Sequence, residues 1–354
     1  MENFDDFTTR DWQETRDGGP VRIAVVGLGR FAHRRALPAI RDAELCEATV
    51  AVDISVDEIR PIAKEFDIDH VISANEFHQG KASDSYDAVY VATPNTFHSQ
   101  YVETAASLKK HVLCEKPLEI SAERARQMVK ACTNAGVTLM TGYRMQIEPI
   151  VRRMRTLIEE GFIGDPIHFS GKFSNQPPIG GGPLEWRTDP DISGGGALMD
   201  LGIYPLNTIR FLLGDDPETV YGSTTTHNPT FENVDEHISF ELNFPRSITA
   251  SCTASLNAYP SSYIEVIGTE GEIRVTSAFG GITPKRISAN RRKIQSEYTG
   301  PIADEVVEEF DYFAHSIITD SQPEPDGWDG LADLVAIEAI YESAKSGKRV
   351  KLQN

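Results

Sequence analysis

The segment Gly27-Leu28-Gly29-Arg30-Phe31-Ala32 follows an apolar, β-branched run (21–27) and opens a helical stretch (30–41). Glycines at such a strand–helix turn let the backbone bend tightly and come close to a pyrophosphate. The free N–H groups and dipole of the helix N-terminus then stabilise the phosphate charge. Asp53 ends the next apolar run, 24 residues after Gly29, where an acid can accept hydrogen bonds from adenosine ribose hydroxyls. The pattern predicts a bound NAD or NADP, with Gly27, Gly29, Arg30, Phe31, Ala32 and Asp53 around it. The charge of Asp53 would repel a 2′-phosphate and favours NAD, while Arg30, Arg34 and Arg35 lie close enough in sequence to reach one.

Three further segments carry polar groups at strand ends or on one helix face. Thr93-Pro94-Asn95, with His98 one turn later, ends an apolar run (87–94) and is expected beside the nicotinamide ribose. Glu115-Lys116-Pro117 follows another apolar run (111–114). A lysine there can bond a substrate hydroxyl and stabilise its alkoxide. After Gly194-Gly195-Gly196, the residues Asp200, Tyr204 and Asn207 fall at i, i+4 and i+7, so a helix puts an acid, a phenol and an amide on one stripe. A tyrosine takes up a proton when a nearby lysine cation lowers its pKa, which pairs Tyr204 with Lys116 as the expected catalytic groups.

The elements that must position these groups read as two patterns. Strands at 21–27, 46–53, 87–94, 111–114 and 137–142 alternate with helices, as in a parallel, doubly wound sheet. Ser55 and Glu58 form a capping-box pattern for the helix after the second strand. Beyond residue 144, a helix (148–160), a strand (166–174), a Gly/Pro-rich loop (175–196) and a helix (197–213) precede consecutive strands at 219–226, 237–244, 247–255, 263–268 and 272–278. Two helices, 306–318 and 330–345, close the chain. The fold class expected is α/β: an N-terminal Rossmann domain (21–143) behind a polar arm (1–20), then a C-terminal α+β domain (144–354) with a large, mostly antiparallel open sheet.

Composition narrows the partners. The chain has 34 Lys+Arg against 53 Asp+Glu, a formal charge of −19 over 354 residues, which argues against nucleic acid. The acids are dispersed and suit a hydrated surface in a salty cytoplasm. Cys46, Cys114, Cys132 and Cys252 show neither CxxC nor zinc spacing, so no metal is expected. The polar N-terminus and the lack of any 18-residue apolar run predict a cytoplasmic protein without a membrane anchor.

GLGRFA, EKP and GGGALMDLGIYPLN, in this order, resemble the Gfo/Idh/MocA family of oxidoreductases over nearly the whole chain. The resemblance implies oxidation or reduction of sugars, cyclitols and related diols, with Lys116 the catalytic lysine and Asp200 a substrate-orienting acid. It places Tyr204 where inositol dehydrogenase-like members carry a histidine, as in the branch containing glucose–fructose oxidoreductase, dihydrodiol dehydrogenases and haloarchaeal D-xylose dehydrogenases. The same resemblance puts Arg144, Glu148, Trp186 and Arg187 around the cleft, with Arg187 a donor to substrate oxygens; Glu115 and Arg144 are expected by the cofactor, and Trp186, Arg187 and Asn207 by the substrate. The activity it implies is transfer of the C1 hydride of an aldose to the nicotinamide, giving a lactone, in a homodimer or homotetramer formed through the C-terminal sheet. Two alternatives are an enzyme whose arm (1–20) clamps a cofactor it never releases, and a nicotinamide-binding regulatory protein without catalysis.

Overall fold

The computed structural model describes Trp12 and residues 18–176, 186–281, 284–300 and 303–352. Most of the N-terminal arm and residues 177–185 of the Gly/Pro-rich loop therefore lie outside the described residues. Contacts divide the chain into two compact units, one of Thr9–Arg144 with Asp304–Leu331, the other mainly of Met145–Ala303 with Ala332–Asn354.

The first unit is built on β1 (Val21–Val26), β2 (Cys46–Asp53), β3 (His70–Ser73), β4 (Ala88–Val91), β5 (His111–Glu115) and β6 (Leu139–Gly142). All pairs are parallel, in the order β3-β2-β1-β4-β5-β6. Strands covered on both faces read as near-continuous apolar runs; in VRIAVV of β1 every residue but Arg22 is buried. The edge strand β3, only four residues long, carries no such signature and was not expected. Helix α1 (30–42) contains a π-helical turn, Ala32–Ala36. Helices α2 (Val56–Glu65), α3 (His98–Ser107) and α4 (Ala122–Ala135) complete the alternation. The expected capping box at Ser55 does not form, since that side chain makes no cap bond. A reciprocal box stands instead at Ser73 and Glu76.

Among its described residues the second unit carries nine strands: β7 (Pro166–Ser174), β8 (Thr219–Thr225), β9 (His237–Asn243), β10 (Thr249–Ser255), β11 (Ser261–Gly268), β12 (Gly271–Thr276), β13 (Arg286–Arg291), β14 (Ile294–Thr299) and β15 (Val350–Lys351). Their order is β14-β13-β12-β11-β7-β10-β9-β8-β15, antiparallel throughout except for the β7–β10 pair. Helix α5 (Pro149–Glu159) and the helical run α6 (197–213) belong to this unit. Small residues on the sheet let α6 approach: a Cβ at Gly171 would lie 2.7 Å from Pro205, and one at Gly202 would lie 3.5 Å from the Ala254 Cβ.

Two helices follow, α7 (Glu305–Ile318) and α8 (Gly327–Ser346). The sequence reading assigned all of 144–354 to the second domain, yet α7 packs in the first unit. Its Phe310 ring meets Tyr90 at 5.0 Å, Asp311 accepts the Glu44 and Leu45 N–H groups, and Asp304 pairs with Arg35. These contacts join residues more than 200 positions apart and leave no local pattern. No described helix is long and apolar enough to cross a membrane.

Candidate active site

The turn after β1 is shaped by two glycines in different ways. Gly27 has φ +86°, and a Cβ there would lie 2.9 Å from the Thr93 nitrogen and 3.0 Å from the Ala92 carbonyl carbon, so only glycine lets the turn rest against the end of β4. A Cβ at Gly29 would meet nothing within 4 Å. That open approach to backbone N–H groups at the start of α1 is what a pyrophosphate requires. The buried hydroxyl of Thr93, beside Gly27, has no protein partner and is another group a bound dinucleotide can satisfy. The turn therefore fits a nicotinamide dinucleotide. Arg30 and Phe31 are exposed, while Ala32 is buried.

Asp53 does more for this turn than the sequence suggested. One carboxylate oxygen accepts the Leu28 N–H at 2.9 Å and the other the Ser55 N–H at 3.0 Å. The acid thus clamps the glycine turn to the end of β2, using acceptor capacity that the sequence reading reserved for ribose.

At the end of β4, Asn95 is buried, and His98 has no exposed surface. The His98 ring nitrogens lie 2.9 Å from the Thr93 carbonyl and 3.1 Å from the Leu118 carbonyl. Burial holds its pKa below the usual imidazole value. His98 is thus a strap between the loops after β4 and β5, a correction to its expected place beside the cofactor, and its position inside α3 against both loops is the cause.

Lys116 stands just past β5 and is followed by a cis peptide to Pro117. Its backbone N–H donates to Glu115 at 3.2 Å, and Glu115 also accepts the Tyr90 hydroxyl at 2.8 Å. Burial pushes the Glu115 carboxyl up in pKa, opposed by the Tyr90 bond and the charges of Lys116 and Arg144. Arg144, expected at the cofactor, forms a 2.6 Å ion pair with the buried Glu305. Glu309, on the next turn of α7, is buried with one oxygen unpartnered; burial, with repulsion from Glu115, pushes its pKa well above the carboxylate range.

In the second unit, Arg187 and Asp200 come together at 3.3 Å, each about one-third exposed, and the Arg187 guanidinium lies 4.2 Å over the Trp186 ring. Asp200 sits in a π-helical turn, Leu198–Gly202, that begins α6. Such turns displace side chains from regular helical register and often mark functional sites. Tyr204 follows on the next turn, its ring fixed edge-on by Phe173 at 5.2 Å and tilted against Phe279 at 5.8 Å. Neither phenylalanine belongs to a motif, so sequence spacing could not reveal them.

Asn207 leaves this group. It is 2% exposed, its amide nitrogen donates to Asp333 at 2.8 Å, and its oxygen accepts from Gln146 at 3.0 Å. Arg210 completes that network on Asp333 at 2.6 Å. The amide is internal glue and not a substrate ligand. Glu148 is likewise internal: it caps α5 through the Val151 N–H and pairs with the buried Lys285 at 3.5 Å. A groove of about 350 Å³ opens beside Gly194, Thr224, Asn233 and Tyr341, and none of Arg187, Asp200 and Tyr204 lines it. Among the described residues no group of three or more His, Cys, Asp or Glu side chains could hold a metal.

Comparison with known proteins agrees with both halves of this picture. Residues 21–143 match the model of an oxidoreductase family with an NAD-binding Rossmann fold, and residues 151–274 match the GFO/IDH/MocA C-terminal domain. The chain is 44% identical over 350 residues to D-xylose 1-dehydrogenase (NADP(+)) of Haloarcula marismortui, covering 98% of this chain and 97% of that protein. It is 30% identical over 334 residues to D-xylose 1-dehydrogenase (NADP(+)) 2 of Haloferax volcanii, covering 93% and 99% of the two chains. The crystal structure of aldose-aldose oxidoreductase from Caulobacter crescentus, complexed with glycerol, superposes with a TM-score of 0.88 at 29% identity, covering 94% of this chain and all of the other. A parallel sheet ordered around a glycine turn that fits a dinucleotide, a lysine just past its fifth strand, an acid and a tyrosine on one helix of an open sheet, and near-full-length identity lead to one assignment: the chain belongs to the Gfo/Idh/MocA family of NAD(P)-dependent oxidoreductases.

Proposed function

We propose that this chain is an aldose 1-dehydrogenase that oxidises C1 of a pentose such as D-xylose to the lactone, with NADP as its preferred acceptor. The observation that carries this reading is the 44% identity over 98% of the chain to a D-xylose 1-dehydrogenase named for NADP. A bound nicotinamide supplies the hydride acceptor. The C1–H bond breaks with its electron pair, the anomeric O–H loses a proton, and C1 becomes a carbonyl. The chain must therefore provide a base and a positive charge for the developing alkoxide. Tyr204 is the base, and Lys116 supplies the charge. Asp200, oriented by Arg187, accepts from sugar hydroxyls, and its placement by a second charged group favours a fixed polyol over a simple alcohol.

Commitment of both Asp53 oxygens to backbone N–H groups weakens the case for this acid as a barrier to a 2′-phosphate, which supports NADP. Association into a homodimer or homotetramer through the open sheet face, where Thr249, Ser251 and Thr253 of β10 are exposed, belongs to the same proposal. So does residence in the cytoplasm, which four buried free thiols suit. The test follows nicotinamide reduction by its absorbance in high-salt buffer, with NADP and NAD each offered D-xylose, L-arabinose, glucose, galactose and myo-inositol. Turnover with a pentose and NADP is expected; silence with every aldose refutes the reading. A second reading, an aldose-coupled enzyme that keeps its cofactor, is favoured by the 29% identity to the Caulobacter protein, and cofactor retained through gel filtration would select it.

A further inference from the structure

Asp235 belongs to no motif and lies in the turn before β9, yet it is 7% exposed and surrounded by donors. One carboxylate oxygen accepts the Gly196 N–H at 2.7 Å and the other the Leu198 N–H at 2.8 Å. Its backbone carbonyl accepts the Ala197 N–H between them at 2.7 Å. These three consecutive N–H groups open α6, where a helix has no internal partners for them. The hydroxyl of the half-buried Tyr341, from α8, donates to the same carboxylate at 2.7 Å.

Two glycines of the triple follow from this arrangement. A Cβ on Gly196 would lie 2.1 Å from the Asp235 carbonyl oxygen, and one on Gly195, at φ +154°, would lie 2.1 Å from the Tyr341 hydroxyl. Side chains at 195 and 196 would hold the start of α6 away from both partners. Asp200, whose N–H donates to the Gly196 carbonyl at 3.0 Å, and Tyr204 ride on the first turns of this anchored helix.

We propose that Asp235, held by Tyr341, is a positioning residue that fixes the register of α6 and thereby the placement of Asp200 and Tyr204 on the substrate. The proposal rests on the catalytic reading of Tyr204. Asp235→Asn keeps the shape but replaces one accepting oxygen with an amide that faces a backbone N–H. Tyr341→Phe removes a single hydroxyl. Each variant is measured for kcat and aldose KM at saturating NADP, and for NADPH affinity by fluorescence titration, beside Tyr204→Phe.

The expected result for Asp235→Asn is a kcat lower by roughly 10- to 100-fold, the scale of an ångström-size misplacement, with a raised aldose KM and NADPH affinity within about twofold of the parent. Tyr341→Phe should shift kcat in the same direction, by a few fold. A purely structural role would lower the melting temperature and the amount of NADPH-binding protein, leaving kcat per bound cofactor and KM unchanged. Parental kcat and KM in Asp235→Asn, with Tyr204→Phe inactive, overturn the proposal. If Asp235→Asn does not fold, parental kcat in Tyr341→Phe overturns it. A Tyr204→Phe enzyme with parental turnover instead removes the catalytic reading, and this proposal with it.

Discussion

Replacing Gly29 by alanine tests the dinucleotide turn separately from the stability of the fold, because Gly27, two residues earlier, supplies the opposite control. An alanine Cβ at 29 meets no atom within 4 Å, and the backbone there lies outside the left-handed region. A compatible Gly→Ala change restricts the unfolded chain and stabilises by about 0.4–1 kcal/mol. The cofactor-free Gly29→Ala protein should therefore melt at or slightly above the parental temperature. Its new methyl occupies the approach to the N–H groups of α1, so a phosphate loses at least one charge-assisted hydrogen bond, about 1.5–3 kcal/mol, or roughly 10- to 100-fold in NADPH Kd. At Gly27 the φ of +86° imposes about 1–2 kcal/mol of strain on an L-residue. Contacts of 2.9–3.0 Å against the backbone after β4 add about 1–3 kcal/mol of overpacking. Their sum predicts a melting temperature lower by roughly 5–15 °C. Thermal unfolding without cofactor and fluorescence titration with NADPH separate the two effects. Parental NADPH affinity in Gly29→Ala, or a loss of stability matching that of Gly27→Ala, would refute a dinucleotide seated on this turn.

Other substitutions probe the neighbouring groups. Asp53→Ala leaves the Leu28 and Ser55 N–H groups without their acceptor, so NAD and NADP affinities should both fall, by about tenfold; a gain for NADP with NAD unchanged would return Asp53 to the role of cofactor selector. Lys116→Ala should lower kcat by about 10²-fold or more with NADPH affinity nearly intact, and near-parental turnover sinks its assignment. Glu309→Gln addresses pH. A carboxyl whose folded pKa is raised keeps its proton in the fold after the unfolded chain has lost it. Its stability contribution is complete below the unfolded pKa of about 4.3 and declines as pH rises towards the folded value. The glutamine variant, neutral throughout, should melt a few degrees above the parent at mildly alkaline pH and converge with it near about pH 4; parallel melting curves across that range contradict a protonated Glu309.

The parallel sheet was legible because its strands are buried on both faces and so read as apolar runs between helices. β3 escaped because a four-residue edge strand with an exposed His70 offers no run. β13 and β14 escaped for a related reason: their sequences, RISANR and IQSEYT, are largely polar, and pairing of one with the other fixes them. The placement of Asp200 and Tyr204 on successive turns of one helix was readable from spacing, and that of Lys116 just past β5 from the apolar run before it. Asn207 shared their stripe, but helical periodicity gives only the direction of a side chain. Whether that direction ends in solvent or on Asp333, 126 positions later, is decided by tertiary packing. His98 failed for the same reason, since its two acceptors sit in loops on different strands.

The acids show where composition stops being informative. Counted together they read as a hydrated surface, and many are. Seven are buried in the described structure: Glu119, Glu148, Asp235, Glu236, Glu305, Glu309 and Asp333. A carboxylate leaves water only when hydrogen bonds or a cation replace its hydration, so each buried acid should have such a partner. Glu119 has Arg124 and the Ile120 N–H, Glu148 has Lys285 and a helix N–H, and Asp333 has Arg210 and Asn207. Glu236 accepts the His227 and Asn228 N–H groups, while Glu305 pairs with Arg144. Asp235 has its three donors. Each joins segments distant in sequence or closes a turn, so it acts as a fastener between elements. Glu309 keeps one oxygen without a hydrogen-bond partner, and burial with repulsion from Glu115, opposed by the Arg144 charge, pushes its pKa well above the carboxylate range.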